Sequence, residues 1–333
     1  MIQTISVVIR TYTAERWRYL EASVESVLAQ TLRPGELVLV VDHNPELAAR
    51  ARRQWSHAPV VVVENDRARG SAGAWNCGIS AAQGELVAFI DDDAVASPGW
   101  LEQLTAPYTR PEVLGVGGAI IPTWLDGRPG WFPDEFGWVV GCTYLGMPTT
   151  VAPIRNLIGC NMSFRRNPLL ETGGFSEDRG LGHMGGQPVG CDETELCIRL
   201  GRRYPRSVLL QHPEAAVYHQ IPGSRSTFAY FLRRCRLEGR SKAIVARLTS
   251  TGEGLSSERA YTFSTLPRGA LRGLTDALKG DRSGLARTGA IVAGLGITAA
   301  SYAQMWLSLL AERDRAPGVG GRAVRPGQGP WPG

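Results

Sequence analysis

The stretch GELVAFIDDDAVASPGW, residues 84–100, decides how the rest of the chain is read. Leu86 to Ile90 is an unbroken apolar run, the length of a buried strand and too short for a helix. It runs directly into Asp91, Asp92 and Asp93. Three adjacent carboxylates resist joint ionisation unless a cation neutralises them. Two readings follow. In one, the triplet is a solvated turn and the next helix starts at Ser97-Pro98, with Ser as N-cap and Pro at the first helical position. In the other, the triplet holds a divalent cation, because Mg2+ and Mn2+ take oxygen ligands, usually one or two carboxylates beside substrate phosphates.

Working toward the N-terminus, hydrophobic periods alternate. TISVVIR, ELVLVVD and VVVVEN read as strands, as does ELVAFIDDD itself. Between them, residues 15–30 place Leu20, Val24, Val27 and Leu28 at helical spacing, and ELAARARRQW and GSAGAWNCGISAAQ continue the helical pattern. Strand alternating with helix predicts an α/β fold with a mostly parallel central sheet and helices on both faces. Ligands of such sheets bind beyond the carboxyl ends of the strands. There the chain delivers Arg10-Thr11-Tyr12, Asp42-His43-Asn44, Glu64-Asn65-Asp66 and the Asp triplet.

Toward the C-terminus, VLGVGGAIIPTW and IGCNMSFRR read as strands, and NPLLETGGF as a short helix and turn. The loop between the two strands is rich in aromatics. Trp124, Trp131, Phe132, Phe136 and Trp138 either line a sugar or lipid site or pack the loop onto the core. Gly180, Gly182, Gly185, Gly186 and Gly190 mark a glycine-rich segment, a lid or a surface loop, before a helix starting near Asp192. Residues 225–247 interleave seven basic residues with aromatic and aliphatic ones, a pattern of an interfacial helix or of a basic surface helix. Residues 289–311 carry no charge and are long enough to span a bilayer. Their Gly, Ala, Ser and Thr content favours a helix resting on the membrane over one crossing it. The Gly/Pro-rich residues 316–333 read as a disordered tail.

Composition narrows the class. The chain has 333 residues, 43% of them hydrophobic and 20% charged, as in a globular protein with a substantial core. A net charge of +5 favours anionic partners without singling out nucleic acid, and no nucleic-acid partner is expected. The six cysteines form no CxxC pair, so reduced thiols are expected rather than a disulfide framework or zinc site. MIQTISVVIR lacks the organisation of a signal peptide and reads as an opening strand, so the protein is expected to be cytosolic or to face the cytosol. A dehydrogenase reading lacks G-x-G-x-x-G after the first strand. A nucleotidyltransferase reading lacks a glycine-rich basic first loop, since RTYTAERW has no glycine.

Over about residues 3–235 the chain resembles the family 2 glycosyltransferases of the GT-A fold. The resemblance rests on VVIRTYTAERW, LVLVVDHN, RGSAGAWNCGISAAQGELVAFIDDDA, GCNMSFRR, GGF and DETELCIRL, in this order and spacing. It implies inverting transfer of a sugar from a nucleotide diphosphate donor, a UDP-sugar by default, to a glycan or polyprenyl-phosphate-linked acceptor, with Mg2+ or Mn2+. Residues 1–110 would form the nucleotide-sugar half, 111–224 the acceptor and catalytic half, and 225–315 a helical membrane-associating region. By the same resemblance Thr11, Tyr12 and Asp42 meet the nucleoside, and Arg69, Gly70 and Asn76 lie along the diphosphate. Asp91 and Asp92 lie at the donor, and Asp93, Asp91 and His219 at the metal, although His219 also fits a structural histidine. Relatives place a Glu-Asp pair before the catalytic helix; here it is Asp192-Glu193. By position Glu193 is the base, while Asp192 contacts the acceptor or caps the helix. The EGRSKA segment, residues 238–243, occurs in relatives that act on polyprenyl carriers, which implies peripheral contact with the cytoplasmic face of a membrane. A degenerate, non-catalytic binding protein is the alternative that the reversed acid pair leaves open.

Overall fold

The computed structural model describes residues 4–177, 183–184, 187–188, 191–249 and 259–315. The glycine-rich lid expectation, apart from two short strand fragments, and the expectation of a disordered tail fall outside these residues.

Four apolar runs become the strands β1 (Ile5–Thr11), β2 (Glu36–Val41), β3 (Val60–Glu64) and β4 (Leu86–Asp91). They run parallel, with β1 between β2 and β4 and β3 outside β2. The helices between them are α1 (Trp17–Leu28), α2 (Pro45–Gln54) and α3 (Ser71–Ala81). Alternation along the strands sorts the core into two layers. Val7, Ile9, Leu37, Leu39, Ala88 and Ile90 face α1 and α2, which bury Leu20, Val24, Val27 and Leu47 against them. Val8, Val38, Val40, Val87 and Phe89 face α3, whose Trp75 meets Phe89 edge-on at 4.9 Å.

The second half departs from the parallel expectation. After β5 (Ala94–Ala96), α4 (Trp100–Thr105), β6 (Val113–Trp124) and β7 (Ala152–Pro153), strand β8 (Asn161–Arg165) inserts between β4 and β6 and is antiparallel to both. A parallel return needs a crossover element. The connection from β6 to β8 instead supplies a 3-10 turn, Asp134–Val140, and an irregular loop, so the chain re-enters from the same end. Helix α5 (Arg166–Glu171), the fragments β9 (His183–Met184) and β10 (Gln187–Pro188), and α6 (Asp192–Arg203) lead to the long β11 (Val208–Ile221). The sheet order is β3-β2-β1-β4-β8-β6-β11-β5, with β7 also on β11. It is a mixed sheet rather than a mostly parallel one.

The expected helix start at Ser97-Pro98 also moves. Ser97 N–H donates to Ala216 O, which prolongs the β5–β11 pairing, and α4 begins three residues later at Trp100.

Three C-terminal helices complete the chain: α7 (Phe228–Thr249), α8 (Leu266–Leu278) and α9 (Ser283–Arg315). Phe231, Cys235, Leu266, Ala290 and Ile291 join the α1-side core of the sheet. Ala243, Ile244 and Val245 of α7 meet Met305 and Leu309 of α9 in a smaller cluster. The aromatic loop packs here. Trp131 and Phe136 lie 5.6 and 5.1 Å from Phe231, and Trp138 Nε1 donates to Tyr261 Oη at 3.0 Å. Of the two readings of that loop, the structure supports core packing.

Candidate active site

The carboxyl ends of β1, β2 and β4 meet at one rim, as the strand pattern requires. Arg10, Thr11, Tyr12, Asp42, Arg69, Gly70, Ser71 and Ala74 line a cavity of about 510 Å3 there. Asp42 Oδ1 accepts from Asn65 Nδ2 at 2.7 Å, and Oδ2 from Gly70 N–H at 3.0 Å. Gly70 sits at φ 123°, a left-handed conformation that brings its N–H onto the carboxylate at the start of α3. Arg69 is held over the rim by its bond to His43 O at 3.2 Å. Tyr12 is exposed, and Arg16 lies over its ring at 5.5 Å.

The Asp triplet divides between the two faces of the sheet. Asp91 ends β4 opposite Arg10, whose Nη2 lies 3.2 Å from Asp91 Oδ1. Arg10 stacks over Trp75 at 4.7 Å. Asp92 and Asp93 occupy the turn before β5. Asp92 is buried, accepts from Thr11 Oγ1 at 2.7 Å, and pairs with Arg16 Nη1 at 3.1 Å. Burial and the neighbouring Asp93 push its carboxyl upward, with Arg16 and Thr11 opposing. Asp92 therefore anchors Arg16 and does not line the donor cavity.

Asp93 Oδ1 lies 3.1 Å from His219 Nε2, and its Oδ2 lies 3.1 Å from Arg16 Nη1 and 3.9 Å from Arg225 Nη2. Burial works against its ionisation, yet the bond to His219 and the charges of His219, Arg16 and Arg225 pull its pKa down to about 2. His219 reaches this position because β11 pairs with β5 at His219–Ala94, one residue past Asp93. One donor atom each from Asp91, Cys160 and His219 lie within 4.8 Å of one another. Burial raises the Cys160 thiol well above its usual range. Asp91 and His219 supply one oxygen and one nitrogen donor to this group, and Asp93 lies against His219 Nε2; such donors suit a hard or borderline divalent cation.

The acid pair opens α6. Burial pushes Asp192 up to about 7, reinforced by Glu193 and opposed by Arg10, and its Oδ1 is buried without a hydrogen-bond partner. Burial also raises Glu193, with its own backbone N–H and Arg10 opposing and Asp91 adding to the rise. Its carboxylate rests against Gly159, where a Cβ would come within 2.2 Å of Glu193 Oε1. Glu193 thus shares the electrostatic environment of Asp91 and Arg10, which ties the acid pair to the donor end of the site. Glu195 and Arg199 pair along the helix at 2.7 Å, a structural contact.

Asn76, expected along the diphosphate, is placed elsewhere. Its Nδ2 donates to Phe175 O at 2.8 Å and to Glu177 Oε1 at 2.7 Å, and its Oδ1 accepts from Phe175 N–H at 2.7 Å. Its amide is saturated in fastening the GGF turn to α3. The residues that sequence reading did not assign to the site are Arg16, Arg225 and Gly159, while Arg10 was expected at the rim without a stated role. The signal for the arginines was the charge imbalance itself, because three carboxylates demand cations; only folding says which.

Residues 6–173 match the family model described as Glycosyl transferase family 2. Over 243 residues the chain is 37% identical to a glucosyl-dolichyl phosphate glucuronosyltransferase of Haloferax volcanii, covering 72% of this chain and 77% of that protein. Over 92 residues it is 28% identical to a UDP-Glc:alpha-D-GlcNAc-diphosphoundecaprenol beta-1,3-glucosyltransferase of Escherichia coli, 28% of this chain and 36% of that one. Among solved structures, a mannosyltransferase from Pyrobaculum calidifontis in complex with GDP-Man and Mn2+ superposes with a TM-score of 0.59 at 17% identity, covering 90% of this chain and 87% of the other. That likeness carries the GT-A architecture alone. Motif order, mixed sheet and family match agree, and the chain belongs to glycosyl transferase family 2.

Proposed function

We propose that this glycosyltransferase moves a sugar from a nucleoside diphosphate donor, UDP-linked by preference, to a hydroxyl on a polyprenyl-phosphate-linked acceptor, with inversion at the anomeric carbon. The observation that carries the reading is the position of Arg10, which lines a donor-sized cavity, pairs with Asp91, and lies within the electrostatic reach of Glu193 and Asp93. The printed activities of the Haloferax and Escherichia relatives, both on lipid-linked acceptors, support the acceptor class.

The cavity residues bind the donor, with Asp42 and Tyr12 at the nucleoside and Arg69 at the diphosphate. Asp93, Asp91 and His219 would hold a Mg2+ or Mn2+ ion. When bound, that ion supplies Lewis-acid screening of charge on the departing diphosphate. Arg16 and Arg225 add fixed positive charge beside Asp93. Glu193 takes the proton of the acceptor hydroxyl as general base, and its raised pKa brings its basicity closer to neutral pH. Asp192 stands next to it as a second acidic contact for the acceptor.

The exterior fits a protein that rests on a membrane surface, which we assign to the cytoplasmic face. Leu271, Leu274 and Leu278 share one exposed face of α8. Between Leu285 and Ala311 the exposed residues of α9 include Val292, Leu307 and Leu310 and no charged one. This uncharged face is about 38 Å long at the helical rise. Among the described residues α9 is long and apolar enough to cross a membrane. Its other side is joined to the sheet core through Ala290 and Ile291, which favours lying on the bilayer over spanning it. Exposed Arg268, Lys279 and Arg282 flank the apolar face, as anionic lipid headgroups require.

Isothermal titration with UDP and GDP, in Mn2+, in Mg2+ and in EDTA, tests the reading. Metal-dependent UDP binding that disappears in Asp93→Ala is the expected result. A folded protein that binds neither nucleotide would overturn it.

A further inference from the structure

The EGRSKA segment has no role in the donor site, yet the fold brings it to the catalytic pair. Arg234, Glu238 and Lys242 are spaced four residues apart on α7 and share one face. That face is turned to the start of α6. Glu238 Oε2 lies 4.0 Å from Cys191 Sγ, and Cys191 directly precedes Asp192 and Glu193. Glu238 Oε1 lies 3.4 Å from Lys242 Nζ. Arg234, one turn closer to the N-terminus of α7, is near enough to Glu193 for its charge to favour the ionised carboxylate.

Arg234 is unusual in being unspent. Among the described residues no hydrogen bond or ion pair engages its guanidinium, and its Nε is buried without a partner. Arg10 Nε and Asp192 Oδ1, on two further residues coupled electrostatically to Glu193, are likewise buried without partners. Native proteins satisfy nearly all buried polar groups, and these three orphaned atoms sit on residues that each interact electrostatically with Glu193, which points to a polar ligand as their missing partner. A planar guanidinium with free donors matches a phosphoryl group. Adjoining positions of α7 carry Cys235, whose carbonyl accepts from Thr298 of α9, and Ala243, which packs in the α7–α9 cluster. One helix therefore joins the base to the element with the exposed apolar face.

We propose that Arg234 binds the phosphoryl group of the lipid-linked acceptor and thereby holds the acceptor hydroxyl at Glu193. This rests on the lipid-linked acceptor of the proposed function and adds the residue that reads the lipid's charge.

The test uses the full chain and tryptophan fluorescence, with farnesyl phosphate, farnesol and inorganic phosphate as probes. The wild type is expected to bind farnesyl phosphate about tenfold or more tighter than either farnesol or inorganic phosphate. Arg234→Gln abolishes that preference, Arg234→Lys restores part of it, and thermal melting reports that both variants fold. A preference retained in Arg234→Gln overturns the proposal, as does inorganic phosphate binding as tightly as farnesyl phosphate. So does a loss of UDP affinity equal to the loss for farnesyl phosphate, which would assign Arg234 to the donor. Transfer of labelled sugar to a polyprenyl lipid extract reports separately on the acceptor class. Transfer that persists while Arg234 proves indifferent would sink the Arg234 assignment and leave the acceptor reading standing.

Discussion

Alanine at position 159 would place a methyl carbon 2.2 Å from Glu193 Oε1, 3.2 Å from its Cδ and 3.4 Å from its Cγ. The nearest atoms it meets all belong to that one side chain, and Gly159 is not among the glycines with positive φ. The substitution is therefore a wedge aimed at the base, with no backbone to break. Ordinary contact begins near 3.4 Å, so the carboxylate must retreat by about 1.2 Å. Misplacement of a catalytic group by an ångström costs on the order of 10^2 in rate, and the whole general-base contribution is about 10^2 to 10^4. Gly159→Ala should thus lower kcat by about 10^2 with little change in melting temperature or nucleotide affinity. The assay is release of nucleoside diphosphate at saturating donor and acceptor, alongside Glu193→Gln. In the Glu193→Gln background the second substitution should add nothing, because the group it displaces has already lost its function. A Gly159→Ala enzyme within about threefold of wild type would refute Glu193 as the base, and so would a full second loss in the double variant.

Two further outcomes follow from the electrostatics and the surface. Because burial raises both Asp192 and Glu193, and a base works only when deprotonated, kcat should rise with pH along an acidic limb lying above the ordinary carboxylate range. Arg10 favours the charged form of both acids, so Arg10→Met should move that limb further upward and lose more rate at pH 6 than at pH 8; a limb that stays put or moves down would contradict the geometry. Leu278 and Leu307, 90% and 65% exposed, support no core. Changing both to Gln should leave the melting temperature unchanged and cut co-flotation with anionic vesicles by about tenfold, whereas unaltered flotation would place the membrane contact elsewhere.

The sequence carried whatever depends on neighbours along the chain. Strands β1, β2 and β4 were visible as β-branched runs, and α1 as Leu20, Val24 and Val27 at helical spacing, because burial imposes those periods locally. The polar residues at the strand ends were visible too, since parallel strands must deliver their carboxyl ends to one rim. The Asp triplet announced a need for cations. What the sequence left undecided depends on partners far apart in the chain. Arg16 meets Asp92 across 76 residues, and His219 reaches Asp93 only because β11 folds back beside β5. Asn76 looked like a donor contact until the GGF turn, 99 residues on, consumed its amide. The antiparallel β8 was hidden because a strand reads the same in either direction, and only the missing crossover helix sets its sense. Periodicity records which side of an element is buried. Which charges face one another is fixed when the sheet closes, since an ion pair leaves no pattern in the residues on either side of its members.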